Sequence, residues 1–380
     1  MDLKQLFIDR FGGNIEAIRT FHAPGRVNLI GEHIDYNGGY VLPCALDMGT
    51  YALIRQRDDD TMRFASTNFE LEIQISLGKI EFDQAHDWAN YPKGIIRCMQ
   101  DDGHPTGKIS GFDILFSGDI PSGAGLSSSA SIELVTAAAL NTVFDLGYSM
   151  IQLIQLAQRA ENQFCGVNCG IMDQFVVGLG QKDKAIFLHC DSLKYEYVHA
   201  DFGDYQIVIM NTNKRRQLNE SKYNERRAEC DEAADLLGVA LLGTLNAADE
   251  PWEKLQDSNL RKRARHVVLE NQRVIDAVKS LNAGDLAAFG ELMVLSHHSL
   301  RDDYEVSCVE LDTLVAAAMK QDVCIGARMT GAGFGGCAIA LVKASEIPQF
   351  IASVTDAYKD AIGYAPTMYV QKIGDGARAL

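Results

Sequence analysis

Short runs of apolar residues alternate with amphipathic stretches along the chain, and the period of the alternation changes from one to the next. Residues 39–43, 51–55 and 112–116 are compact, rich in β-branched and aromatic side chains and bounded by turn residues, so they read as strands. Residues 185–190 and 205–210 read the same way. An apolar stretch near 131–146 has the composition of a buried helix. A second helix, from 149 to about 164, carries Ile151, Ile154, Ala157 and Glu161 at helical spacing. Further helices are expected over 219–237, 253–281 and 285–299, and a buried strand over 337–342. These elements suit a two-layer α+β protein with two lobes, divided near residues 190–205.

Between the strand at 112–116 and the first long helix lies a run of three glycines and several hydroxyls, residues 118–131. Glycine lets backbone N–H groups wrap an anion, and the first turn of a helix adds unpaired N–H groups and the positive end of its dipole. Serines before a helix are often only an N-cap, but one residue fills a cap and three follow one another here, Ser127, Ser128 and Ser129. A polyphosphate cradle is the better reading. No Gly-Lys-Ser/Thr closes it, so it is not a Walker loop. A second glycine run, 328–336, contains Gly-x-Gly-x-x-Gly at Gly331, Gly333 and Gly336. A dinucleotide fold needs that motif before a helix, whereas a strand follows it here. It is expected to pass close to the phosphate cradle or to a neighbouring strand.

Two other clusters carry candidate chemistry. Residues 23–39 interleave Arg26, Glu32, His33 and Asp35 with Val27, Leu29 and Ile30, which suits a polyhydroxylated ligand held against an apolar backing. In residues 161–175, Asp173 lies among Ile171, Met172, Phe175 and Val176 and is expected to be desolvated, either paired structurally or acting as a base.

With 380 residues, 47% apolar and 23% charged, the chain is long enough for two globular domains. A net charge of −16 argues against a nucleic-acid partner, since phosphate backbones are bound by clustered Lys and Arg. No apolar run approaches the ~20 residues of a membrane span, and the first ten residues read as a charged amphipathic helix rather than a secretory signal. Nine cysteines without a Cys-x-x-Cys point to free thiols and a cytoplasmic location. Cys165 and Cys169 have no neighbouring histidine to complete a zinc set.

The segments PGRVNLIGEHIDYNGG (24–39), the serine-rich turn (121–131) and MTGAGFGGC (329–337) resemble the three signature motifs of the GHMP small-molecule kinases. The first is similar to the sugar-binding signature of the galactokinases. CGIMDQF (169–175), SKYNERR (221–227) and HHSLRDDYEVSC (297–308) are similar to galactokinase segments as well. The resemblance implies a two-lobed α+β fold with mixed sheets, helices packed on them and an active site in the cleft. The lobes would span 1–195 and 196–380. It also implies Mg²⁺-dependent transfer of a phosphoryl group from ATP to the anomeric hydroxyl of D-galactose, giving α-D-galactose 1-phosphate and ADP.

By the same resemblance, Glu32, His33, Ile34 and Asp35 would contact the sugar, with Gly170 and Tyr223 completing its pocket. Gly123, Ala124, Gly125, Leu126, Ser127, Ser128 and Ser129 would wrap the phosphates of ATP, and Ser66 would touch the nucleotide. Ser129 and Glu161 would hold Mg²⁺, as hard oxygen ligands. Asp173 would face the anomeric hydroxyl, as a base or as its orienter, and Arg26 would stabilise the transferring phosphoryl. Ile34 stands where the family usually carries threonine, which bears on fine sugar discrimination. Two alternatives remain at this point: a related kinase acting on N-acetylgalactosamine, arabinose or a uronic acid, and a catalytically silent galactose sensor. A monomer is expected, with a homo-oligomer left open.

Overall fold

The computed structural model describes residues 2–102, 108–121, 123–214 and 219–380. The first half of the chain supplies β1 (Arg19–Asn28), β2 (Tyr40–Val41), β3 (Pro43–Gln56), β4 (Thr61–Ser66), β5 (Ile73–Ser76), β6 (Phe112–Gly118), β7 (Lys184–His189) and β8 (Lys194–His199). The second half adds β9 (Tyr205–Asn211), β10 (Cys324–Thr330), β11 (Cys337–Lys343), β12 (Thr367–Gln371) and β13 (Arg378–Ala379). The helices are α1 (Leu3–Phe11), α2 (Asn90–Asp101), α3 (Ser128–Val143), α4 (Met150–Arg159), α5 (Met172–Leu179), α6 (Asn219–Leu237), α7 (Ser258–Asn282), α8 (Leu286–Asp302), α9 (Val309–Met319) and α10 (Ile347–Ile362).

Three sheets form. The largest has the order β13-β1-β3-β6-β4-β5 and is mixed, because β4 and β6 run parallel while the other neighbours are antiparallel. An antiparallel sheet β10-β11-β9-β12 carries the second half, and β2-β7-β8 make a small third one. The last strand, β13, returns to the edge of β1, so the large sheet draws on both ends of the chain. A single apolar core runs through the sheets and the helices on them. A satellite of Phe7, Ile18, Leu53, Ala65 and Leu115 fixes α1 on the large sheet.

Several elements differ from the sequence expectation for local reasons. The strand at 39–43 is two pieces, with Leu42 between β2 and β3. The first long helix, α3, begins at Ser128 rather than near 131, and it is buried nearly all round, as its apolar circumference requires. The helix expected from 149 to 164 is closed by a capping box between Ser149 and Gln152, but its α-helical part stops at Arg159. A π-type turn, Ala160–Cys165, continues it and rotates Glu161 out of the regular spacing. The helix expected at 253 starts at Ser258, where the Asp257 side chain caps it. A separate turn with Pro at its first position fills Pro251–Lys254.

Candidate active site

The chain leaves β6 at Gly118 and reaches α3 through the serine-rich turn. Gly123, Gly125 and Ser127 have φ of 72°, 77° and 62°, so every second residue is left-handed. Alternation of this kind gathers successive N–H groups into an anion-binding concavity. Ser127 occupies the cap position of α3 yet makes no side-chain capping bond; its hydroxyl donates instead to Asp173 Oδ2 at 2.5 Å. The run is therefore more than a helix cap. Ser128 is exposed and Ser129 half-buried on the first turn of α3. The side chains of Ala124 and Leu126 are in the core, so these two offer only backbone. Ser122 lies outside the described residues.

Arg26 reaches this turn from a break in the β1–β3 register between Pro24 and Arg26, the kind of irregularity that re-aims a side chain. Its Nε and Nη2 donate to Asp173 Oδ1 and Oδ2, both at 2.8 Å, and its Nη1 donates to the Gly125 carbonyl at 2.8 Å. The guanidinium is buried, whereas Asp173, in the first turn of α5, keeps 28% of its side chain exposed. Two parallel bonds fix both groups in one plane at the cavity edge.

The loop after β1 carries the sugar signature. Glu32 is buried; its Oε1 accepts from Thr330 Oγ1 at 2.9 Å and from the Gly331 N–H at 2.7 Å, with Arg328 Nη1 at 3.5 Å. His33 Nδ1 meets the Tyr36 hydroxyl at 2.8 Å and Nε2 meets the Ala332 carbonyl at 3.1 Å. Burial, with His266 and two arginines nearby, pushes its pKa down to about 3, so the imidazole is neutral. Asp35 is pushed up to about 6, first by burial and then by the charge of Asp173. Its carboxylate packs directly on the Cα of Gly170, where a built Cβ would collide with it. A side chain at 170 would close this part of the site.

Of the two positions the sequence leaves open for the third glycine run, the structure shows the one against the serine-rich turn. Gly331, at φ 82°, would bring a Cβ within 3.0 Å of the Gly125 carbonyl. One cavity of ≈ 280 Å³ results, lined by Glu32, His33, Asp35 and Tyr223 together with Arg26 and with Gly123, Gly125, Ser127, Ser128 and Ser129. Glu161, Gly170 and Asp173 also line it.

Glu161 is a buried acid on the cavity wall. Burial first, then Asp173, push its pKa up to about 7, a rise that the nearby Ser129 hydroxyl partly offsets. Gln174 Nε2 donates to its Oε2 at 2.7 Å, and Glu133 lies behind, fully buried and held far above the ordinary carboxylate range by burial and by Glu161. A hydroxyl and a desolvated, repelled carboxylate facing a cavity fit a small hard cation, which would relieve that repulsion. Among the described residues no group of three or more His, Cys, Asp and Glu side chains forms a metal cage.

Family models match the chain in three stretches: the galactokinase galactose-binding signature over residues 5–56, the GHMP kinase N-terminal domain over 90–181 and the GHMP kinase C-terminal domain over 277–360. A galactokinase of Enterococcus faecalis is 51% identical over 388 residues, covering 100% of this chain and 99% of the relative. The chain belongs to the galactokinase family. A galactokinase of Clostridium tetani is 50% identical, covering 99% of this chain and 96% of its own. The crystal structure of Lactococcus lactis galactokinase complexed with galactose superposes with a TM-score of 0.96 at 46% identity, covering 100% of this chain and 99% of that one. Mevalonate kinase from Methanococcus jannaschii, at 20% identity and a TM-score of 0.67, shares the GHMP kinase fold.

Four of the expected galactokinase site residues place no side chain in the cavity: Ala124 and Leu126 of the serine-rich turn, Ile34 and Ser66. Ile34 is fully buried in the core, packed toward Gly39, and is not among the residues that line the cavity. Ser66 ends β4 beside β6; it is buried, and its hydroxyl accepts from the Asn68 N–H at 3.0 Å. Other contributors were not singled out from the sequence. Thr330 and Arg328 hold Glu32, Gln174 bridges Glu161 and Glu133, and Tyr36 and Tyr304 back His33. Glu133 had a readable signal, a carboxylate between Ile132 and Leu134 in an apolar helix, of the same kind that marked Glu161.

Proposed function

We infer that this galactokinase-family chain transfers the γ-phosphoryl group of ATP to the anomeric hydroxyl of D-galactose, giving α-D-galactose 1-phosphate and ADP. The observation that carries the reading is that the serine-rich turn and the sugar-signature loop open into one cavity, with the Arg26–Asp173 pair between them. Phosphoryl transfer depends on positioning and charge neutralisation more than on covalent help, and the parts expected for it are an N–H cradle, a guanidinium and a carboxylate.

In this reading Glu32 and Asp35 accept from sugar hydroxyls, with Gly170 and Tyr223 shaping the pocket around them. Asp173 accepts the hydrogen bond of the anomeric hydroxyl and aims its oxygen at the phosphoryl group. Ser127 shares Oδ2 with it and turns aside as the proton moves. Arg26 holds Asp173 in plane and offers its charge to the phosphoryl oxygens. The backbone of residues 123–129, with the hydroxyls of Ser128 and Ser129, holds the polyphosphate. Ser129 and Glu161 would hold Mg²⁺, which when bound neutralises charge on the phosphates.

The sensor alternative is disfavoured because Arg26, Asp173 and residues 127–130 are intact. Among the described residues no helix is long and apolar enough to cross a membrane. The nine cysteines are all free, which supports a cytoplasmic site of action. ADP release measured over a panel of sugars tests the reading. Galactose is expected to be turned over with the highest kcat/KM, ahead of N-acetylgalactosamine, arabinose and galacturonate. A higher value for one of these would reassign the substrate, and sugar and ATP binding without ADP release would make the chain a sensor.

A further inference from the structure

His33 sits at φ 61°, a left-handed conformation that a non-glycine residue keeps only when its surroundings hold it there. Asn37 Nδ2 donates to the His33 carbonyl at 3.0 Å, and the His33 ring meets a line of buried hydroxyls. The Tyr36 and Tyr304 hydroxyls lie 2.7 Å apart, and the Cys230 thiol is 3.2 Å from Tyr304. Cys230 and Tyr304 are fully buried, and Tyr36 and His33 nearly so.

Elementary bonding rules give the line a direction. The Ala332 carbonyl can only accept, so the proton on the imidazole is at Nε2. Nδ1 is then bare and must accept, so Tyr36 donates to it. The Tyr36 oxygen in turn accepts from Tyr304, whose own oxygen faces the Cys230 thiol. Both donor and acceptor positions of the His33 ring are thus occupied by protein partners, leaving no ring nitrogen for a sugar hydroxyl.

We propose that Tyr36 and Tyr304 are positioning residues for sugar binding, which act by locking His33 in its Nε2–H tautomer so that the ring pins Ala332 of the third glycine segment and backs the ring of Tyr223. The His33 and Tyr223 rings are 5.5 Å apart, and Tyr36 meets the same Tyr223 ring at 5.4 Å. All three rings and Ala332 line the cavity. In the other tautomer a bare Nε2 would face the Ala332 oxygen, acceptor against acceptor, and the sugar loop and the third segment would part. Besides Tyr36, Tyr223 and Tyr304, the charged or titratable groups acting on the ring are Arg226 on α6, His266 on α7 and Arg328 on β10. None of them supplies Nδ1 with a donor.

The kinetic part of the test rests on the galactose-kinase reading; the spectroscopic part does not. With ¹⁵N-labelled histidine, and His33 assigned from its loss in His33→Gln, the sugar-free protein is expected to show Nε2 protonated and Nδ1 bare, unchanged between about pH 5 and pH 8. A proton on Nδ1 would overturn the proposal whatever the substrate. Tyr36→Phe strips Nδ1 of its donor, and it is expected to raise the galactose KM about tenfold with kcat held within about twofold. Tyr304→Phe removes only the next donor along, so its KM rises less, about threefold. A galactose KM unchanged in both variants, or a fall in kcat with KM unchanged, would overturn the proposal. If Tyr36→Phe does not fold, the tautomer of the wild-type ring and the KM of Tyr304→Phe decide it. Should another sugar be the substrate, the same pattern is expected in the KM for that sugar.

Discussion

Replacing Asp173 by asparagine keeps the shape of the side chain and removes its charge. The amide can accept one of the two 2.8 Å bonds from Arg26, but its NH₂ group then faces the other guanidinium N–H, and Arg26 keeps only the Gly125 carbonyl as a full partner. Breaking a buried charge pair costs about 3–5 kcal/mol, and the 28% exposure of Asp173 puts this pair at the low end, about 3 kcal/mol. A positioned base contributes about 10²–10⁴-fold to rate. Turnover in Asp173→Asn is therefore expected to fall at least about 10²-fold. Galactose affinity should stay within about threefold, because Glu32, Asp35 and Gly170 are untouched. ADP release gives kcat, calorimetric titration with galactose gives the affinity, and a lowered Tm reports the broken pair. Ser127→Ala, which leaves both Arg26 bonds in place, serves as the comparison. A kcat within about threefold of the parent would remove Asp173 from the chemistry, and a lost galactose affinity with turnover intact at saturation would make it a binding residue only.

Glu161→Gln is expected to raise the Mg²⁺ concentration needed for half-maximal activity at least about tenfold while galactose binding holds; an unchanged Mg²⁺ titration would refute the ligand role. The raised pKa of Asp35 predicts a pH dependence. A carboxyl with a pKa of about 6 is ionised and accepting above that pH and protonated below it, so kcat/KM for galactose should fall toward about tenfold per pH unit as pH drops below 6. In Asp35→Asn that limb should be absent from the much weaker residual activity, and its persistence would assign it elsewhere. Ile34→Thr places a hydroxyl in the core and is expected to cost about 2 kcal/mol in chemical denaturation with the galactose KM unchanged. A shift in sugar preference without loss of stability would return position 34 to the binding site.

The residues legible in the sequence were those whose chemistry contradicts their neighbours. Asp173 among apolar side chains, Glu161 closing an apolar stripe and three serines where one would cap each stood out because burial of a charge or a surplus of hydroxyls needs a reason. Asp173 nonetheless proved less desolvated than expected, at 28% exposure. The strand after the third glycine run excluded a dinucleotide fold, but left open whether the run passes the serine-rich turn or a neighbouring strand. Side-chain direction was not readable. Ile34 lies between two cavity-lining residues and points the other way, and His33 spends both ring nitrogens within the protein. The partners of Glu32 come from some 300 positions away in sequence. No local pattern in residues 24–39 encodes them, since they depend on how β10 lies against the end of β1. The helix boundary at Arg159 was missed because the π-type turn keeps a helical look in composition while changing the angle at which Glu161 leaves the backbone.

A crystal structure of the ternary complex with galactose, Mg²⁺ and a non-hydrolysable ATP analogue tests the central claim most directly. The account predicts the terminal phosphate over residues 123–129 and the galactose anomeric hydroxyl within hydrogen-bonding distance of Asp173, with Arg26 between the two ligands. Nucleotide bound away from the serine-rich turn, or a sugar turned so that another hydroxyl faces Asp173, would contradict it.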